Sequence, residues 1–152
     1  RDLVRSRGLG DVYKRQFIRM VNAAYHYFEQ HGKGHIAVIS SIAGTKGLGS
    51  APAYSATKRF QNTYIDALDQ LAHMKKLNIS FTDIRPGFVA TPLLKDDKYP
   101  LLMHTSQVAS QIVKAISRRK RVAIIDWRYQ LIVFFWKLIP GWLWVRLPVR
   151  NQ

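Results

Sequence analysis

Two side chains four residues apart, Tyr54 and Lys58 in the segment YSATK, are the pair best equipped for chemistry in this 152-residue chain. On a helix that spacing puts both on one face, about a turn apart. An ammonium beside a phenol favours the phenolate, and a phenol that gives up and regains its proton can serve as general acid and base at an alcohol oxygen. The spacing alone is weak, since seven tyrosines and eleven lysines in 152 positions give about half such a match by chance. An exposed helical pair is the bland alternative.

Context adds weight. Ser41 stands thirteen residues before Tyr54, where the apolar run HIAVIS at 35–40 gives way to a loop of small residues. Ligands bind at the carboxyl ends of strands in α/β sheets, and a hydroxyl there can bond a carbonyl or alkoxide oxygen as charge develops. A serine at a strand end is more often a turn or cap residue, so the argument rests on the three residues together.

The elements that must position them follow from periodicity. Phe17, Val21, Ala24 and Phe28 recur at helical spacing until GKG at 32–34 stops the pattern. HIAVIS, β-branched and bounded by glycines, reads as a buried strand. From about Ala53 to Lys76 a long helix is expected, with Ala56, Phe60, Ala67, Leu71 and Met74 on one face. Ile65, Leu68 and Ala72 widen that stripe, which suggests burial on two sides. Asn78 to Arg85 alternates as a second strand that Pro86-Gly87 ends. After a polar loop with Lys95, Asp96, Asp97 and Lys98, Thr105 is expected to cap a helix carrying Val108, Ile112, Val113 and Ile116, and Arg121 to Ile125 makes a third strand. Helices alternating with strands imply α/β architecture, a parallel sheet with helices on its faces.

With SSIAG at 40–44, YSATK at 54–58 and RPGFVAT at 85–91 in this order and spacing, the chain resembles the short-chain dehydrogenases/reductases. The likeness extends from about Phe17 to Ile125. It implies a partial Rossmann-like, doubly wound sheet and an NAD- or NADP-dependent interconversion of a small alcohol and its ketone. By the same resemblance Tyr54 is the general acid/base, Ser41 orients the substrate oxygen, and Lys58 both tunes Tyr54 and bonds the nicotinamide ribose. Pro86, Gly87, the Val89 backbone and the Thr91 hydroxyl would contact the carboxamide. The family's assembly as dimers or tetramers through the long helix implies a homo-oligomer.

The chain also departs from the family pattern. No strand followed by a glycine-rich pyrophosphate turn opens it. Gly8 and Gly10 begin a GxGxxG reading, but Tyr13 stands where the third glycine belongs and no apolar strand precedes them. GTKGLG at 44–49 follows the catalytic strand and reads as a lining loop. The family's catalytic asparagine falls in register on Lys14. Residues 1–16 are therefore expected to be a non-native or disordered leader, residues 17–126 the catalytic part, and the polypeptide as given an inactive fragment whose nucleotide-binding strands are missing.

Composition narrows the remaining classes. The absence of cysteine excludes disulfides and thiolate metal sites, and the five histidines show no ligand spacing with carboxylates, so no metal is expected. The net charge of +15 sits at the ends: residues 1–19 carry six Lys/Arg against two Asp, and residues 114–152 carry nine against one. No nucleic-acid recognition motif accompanies them, so no nucleic-acid partner is expected. The tail from 127 to 152 holds Trp127, Trp136, Trp142, Trp144 and the run LIVFFW among cations. That composition suits the surface of a membrane, while Asp126, Arg128, Lys137 and Pro140 cut the apolar stretch too short to cross one. Two readings of the tail stand side by side, peripheral membrane contact through 127–146 and cover for the substrate cleft or a subunit contact. A cytoplasmic enzyme, soluble or membrane-associated, fits both. The opposing functional class is a non-catalytic, basic, membrane-associated interaction module in which Tyr54 and Lys58 merely decorate a helix.

Overall fold

The computed structural model describes residues 2–90 and 101–148, with side chains from Val12 onward. Thr91 and the polar loop of Lys95 to Lys98 lie outside the described residues. Helix α1 (Asp2–His31) leads into β1 (Lys33–Ile39), a single 3-10 turn (Ile42–Gly44) and α2 (Pro52–Met74). Then come β2 (Asn78–Arg85), α3 (Thr105–Ser117), β3 (Val122–Ile124), α4 (Trp127–Leu138) and the short α5 (Gly141–Trp144). Among the described residues the strands form one parallel sheet in the order β1-β2-β3, with Ile36 opposite Phe81 and Ile84 opposite Ala123. The expected α/β alternation is therefore present. Helical backbone begins at Asp2, well before Phe17, because nothing between them breaks a helix once Phe17–Phe28 has anchored it; Gly8 and Gly10 only weaken it.

The two glycines of GKG have separate tasks. Gly32, at φ +78°, lets the chain leave α1 in the left-handed conformation. Gly34 lies so close beneath the Phe28 ring that an added Cβ would fall 2.0 Å from it, and so α1 seats directly on β1.

Helices cover the sheet from both sides. On one face Val21 and Tyr25 of α1 and Ile65, Leu68 and Ala72 of α2 pack on Ile36, Val38, Ile79 and Phe81. On the other, Val108 of α3 and Tyr129 and Val133 of α4 pack on Ile84, Ile125, Ile42 and Met103. β2, central in the sheet, is buried without a break from Phe81 to Arg85 instead of alternating. The second face of β1 is bare within the described residues, since Ala37 is exposed and Ile39 is 55% exposed.

Two expected faces and one expected cap need correction. On α2 the buried stripe is Ser55, Gln61, Asn62, Ile65, Leu68 and Ala72, while Ala56, Ala67 and Met74 are exposed. The sheet takes one side of the helix only, and polar side chains complete that side. Thr105 does not cap α3; its hydroxyl donates to Ala90 O at 3.0 Å and His104 is the cap residue. Val113 is 66% exposed, because α3 rests its Val108–Ala115 face on the sheet. The tail forms two helices, and no described helix is long and apolar enough to cross a membrane.

Helix α2 ends with Lys76 at φ 55°, its N–H bonded to His73 O at 3.0 Å and the next N–H, of Leu77, to Ala72 O at 2.9 Å. This closure favours glycine. Lys76→Gly is expected to stabilise the chain by about 0.5–1 kcal/mol, read as a raised thermal midpoint. His35 Nε2 lies 2.8 Å from Thr82 Oγ1 on the half-open face of the sheet, and burial, with the Arg119 cation second, holds its imidazole below the ordinary histidine range. The unfolded chain thus takes up a proton near pH ~6.5 before the folded chain does. Stability present above that pH is lost as pH falls through the lower folded value. Urea unfolding should show that loss, and His35→Gln should flatten it.

Candidate active site

The site grows from the place where β1 and β2 end together. Ser40 N–H bonds Ile84 O at 2.8 Å and Ile42 N–H bonds Pro86 O at 3.2 Å. Beneath them a fully buried carboxylate ties the two strands: Ser40 Oγ donates to Asp83 Oδ1, and Arg85 donates to Asp83 Oδ2 from Nε at 2.8 Å and Nη2 at 2.6 Å. Sequence reading missed this network. Its one legible signal was an acid and a base two apart on the strand face that otherwise carries Ile79 and Phe81.

The loop after Ser41 is fastened to α2. Ser55 Oγ shares its proton between Ala43 O at 2.7 Å and Lys46 O at 2.9 Å, and accepts from Leu48 N–H at 3.2 Å. Ser55, the second residue of YSATK, was also missed. Gly44 packs on the helix backbone so closely that a Cβ there would stand 2.7 Å from the Lys58 carbonyl carbon. The 3-10 turn is thereby pressed against the turn of α2 that carries Lys58.

Tyr54 and Lys58 come together on the first turns of α2. The Lys58 ammonium lies 5.7 Å from the Tyr54 ring centroid and reaches Ile39 O, at the end of β1, at 3.5 Å. Tyr54 is 51% exposed. Both residues line a shallow depression of about 510 Å³ against α1, facing Tyr13 and Gln16. Ser41 is buried and engaged elsewhere: its Oγ accepts from Ala43 N–H at 3.1 Å and turns its own proton toward Pro86 O at a long 3.4 Å. No hydrogen bond joins Ser41 and Tyr54 among the described residues.

Beyond β2, Pro86 to Ala90 run half-buried. Phe88 O accepts from Met103 N–H at 3.0 Å and Ala90 N–H bonds Met103 O at 2.9 Å, an isolated bridge centred on Val89. In such a bridge the central residue's own N–H and C=O point to the opposite side. Tyr129 of α4 holds this stretch from behind. Its hydroxyl accepts from Phe88 N–H at 3.1 Å and donates to Leu101 O at 3.2 Å, and its ring lies where a Cβ on Gly87 would be. Burial pushes the Tyr129 phenol up, against the Phe88 N–H, which lowers it. The tail also clasps the loop after Ser41, since Trp144 Nε1 donates to Gly47 O at 2.7 Å and Lys46 stands 4.8 Å from the Trp144 ring. No group of His, Asp or Glu able to hold a metal occurs among the described residues.

A family model described as short chain dehydrogenase matches residues 12–100. An uncharacterized oxidoreductase of Myxococcus xanthus is 28% identical over 139 residues, 90% of this chain and 54% of that protein. Dehydrogenase/reductase SDR family member 7B of Bos taurus is 32% identical over 123 residues, 72% of this chain and 37% of that protein. The crystal structure of a short chain dehydrogenase from Burkholderia cenocepacia in complex with NADP superposes with a TM-score of 0.78 at 16% identity, covering 95% of this chain and 60% of that one. At that identity the likeness speaks for the fold, part of a Rossmann-like sheet. The chain spans about half the length of the curated relatives it matches.

Because Tyr129 supplies the acceptor for Phe88 N–H, Tyr129→Phe should destabilise the chain by about 1 kcal/mol and speed amide exchange at Phe88 by more than at the ends of α1. Unchanged exchange there would mean that the hydroxyl does not hold the stretch.

Proposed function

Because the chain belongs to the short-chain dehydrogenase family, we propose that it is the catalytic part of an NAD- or NADP-dependent oxidoreductase that interconverts a small alcohol and its carbonyl. The observation that carries this reading is the Lys58 ammonium set between the Tyr54 ring and the carboxyl end of β1.

In the carbonyl-reducing direction Tyr54 gives its proton to the substrate oxygen, and in the alcohol-oxidising direction it takes that proton back. The Lys58 cation offers a fixed positive charge to the phenolate as it forms. Ser41 can turn its proton from Pro86 O, its longest bond at 3.4 Å, to the substrate oxygen while still capping Ala43 N–H. The nicotinamide, when bound, supplies or accepts the hydride at the carbon.

The residues fit the nicotinamide end of such a cofactor. Lys58, at the carboxyl end of β1, would bond the ribose, and the Val89 amide group, which faces away from its bridge, would with Pro86 and Gly87 contact the carboxamide; Thr91 completes the set by the family's pattern. A pyrophosphate turn is not found in the sequence, and the face and edge of β1 that are bare among the described residues suit the packing of further sheet. The 152 residues alone are thus read as inactive. The exposed side of α2 with Ala56, Ala67 and Met74 suits contact with a second copy, and a cytoplasmic setting suits the cofactor. A second reading, in which the tail rests on a membrane surface, is favoured by Trp127, Phe134, Phe135 and Trp142, each about 60% exposed or more.

The purified chain is expected to show no NADH- or NADPH-linked turnover. In the full-length protein carrying this segment, Tyr54→Phe should lower kcat about 10³-fold with nucleotide affinity changed by no more than about twofold. Turnover by the chain alone would refute its inactivity, and an unimpaired Tyr54→Phe enzyme would remove Tyr54 from the chemistry.

A further inference from the structure

We propose that the groove between the carboxyl end of α3 and the outer side of α4 is a docking surface for anionic lipid headgroups. The inference rests on the tail's reading as a membrane-surface element and assigns it a charged site. The groove, a depression of about 720 Å³ along the outer edge of β3, is lined by Lys114, Arg118, Lys120 and Lys137, with Trp127 and Phe134 among its apolar residues. The two aromatics are 66% and 59% exposed.

The four cations have no acidic partner among the described residues, and the nearby acids are engaged elsewhere. Asp66 and Asp69 hold Arg121. Asp126, which also lines the groove, bonds Arg128 through both oxygens at 3.0 and 2.8 Å. Four unneutralised cations around one groove call for a polyanionic occupant, and aromatic side chains at its margin suit the depth at which headgroups give way to acyl chains.

The same features argue against a second copy here. Two such surfaces face to face would bring eight cations together. Strand addition is also obstructed: residues 121 and 125 bond β2, so Ile124 turns its carbonyl to the outer edge, where Gln130 Nε2 caps it at 3.0 Å.

The test is co-sedimentation of the whole chain with vesicles of phosphatidylcholine alone and of phosphatidylcholine with phosphatidylglycerol. At low salt the chain should favour the anionic vesicles by about a hundredfold or more, and lose that preference as salt rises. Replacing Lys114, Arg118, Lys120 and Lys137 together by Gln should lower binding to anionic vesicles about a hundredfold, with an unchanged far-ultraviolet spectrum. Trp127→Ala with Phe134→Ala should weaken binding while keeping its salt dependence. Equal binding to both vesicles would overturn the charged groove yet leave the tail at a membrane, and binding to neither would overturn both. Capture by poly-glutamate without binding to anionic vesicles would assign the groove to an acidic protein and equally overturn the proposal.

Discussion

The buried Asp83 carboxylate is the constraint on which the site depends. Completely withdrawn from water, it is tolerable only because Arg85 covers one oxygen and Ser40 the other. A well-packed apolar pair would hold two strands at least as firmly. What the charged network adds is register: Ser40 can reach Asp83 only when Val38 stands opposite Asp83 and Ile39 opposite Ile84. With that alignment set, Ser41 falls at the lip of the sheet beside Pro86, and the two segments expected to face substrate and nicotinamide leave the sheet side by side.

Around this join the parts of the site are held by backbone contacts more than by bonds between the chemical groups themselves. Gly44 brings the turn after Ser41 onto α2 at Lys58, and Ser55 ties the following loop to the same helix. From the opposite face, Tyr129 fixes Phe88 and leaves room only for glycine at 87. The tail therefore has a definite structural part: α4 buries Tyr129 and Val133 in the second core while showing water its aromatic outer side. The inner side of α4 is thus committed to the core, and its outer side leaves Trp127, Phe134 and Phe135 exposed.

Much of the site was legible in residue order. Tyr54 and Lys58 had to share a helix face, because the 3.6-residue period places i and i+4 together whatever surrounds them, and the glycines of GKG and Pro86-Gly87 had to end their elements for local conformational reasons. The link from Ser40 to the Asp83–Arg85 pair was not legible, since Ser40 and Asp83 are 43 residues apart in the chain and a serine at a strand end is ordinary. Ser55 looked like the filler of a motif, and only the loop folded over it shows why a hydroxyl stands there.

What the sequence determined by itself was the kind and order of the elements from Phe17 to Ile125, the parallel sheet that this order implies, and a Tyr–Lys pair at the start of a helix, all of them consequences of local stereochemistry and period. The tertiary structure decided which side of α2 is buried, that Thr105 pins Ala90 instead of capping α3, and where the Ser41 proton points. These depend on a second surface. Periodicity reveals that a helix has an apolar side but cannot say how much of it a neighbour covers, and a hydroxyl commits its proton only when a distant carbonyl has been brought within reach.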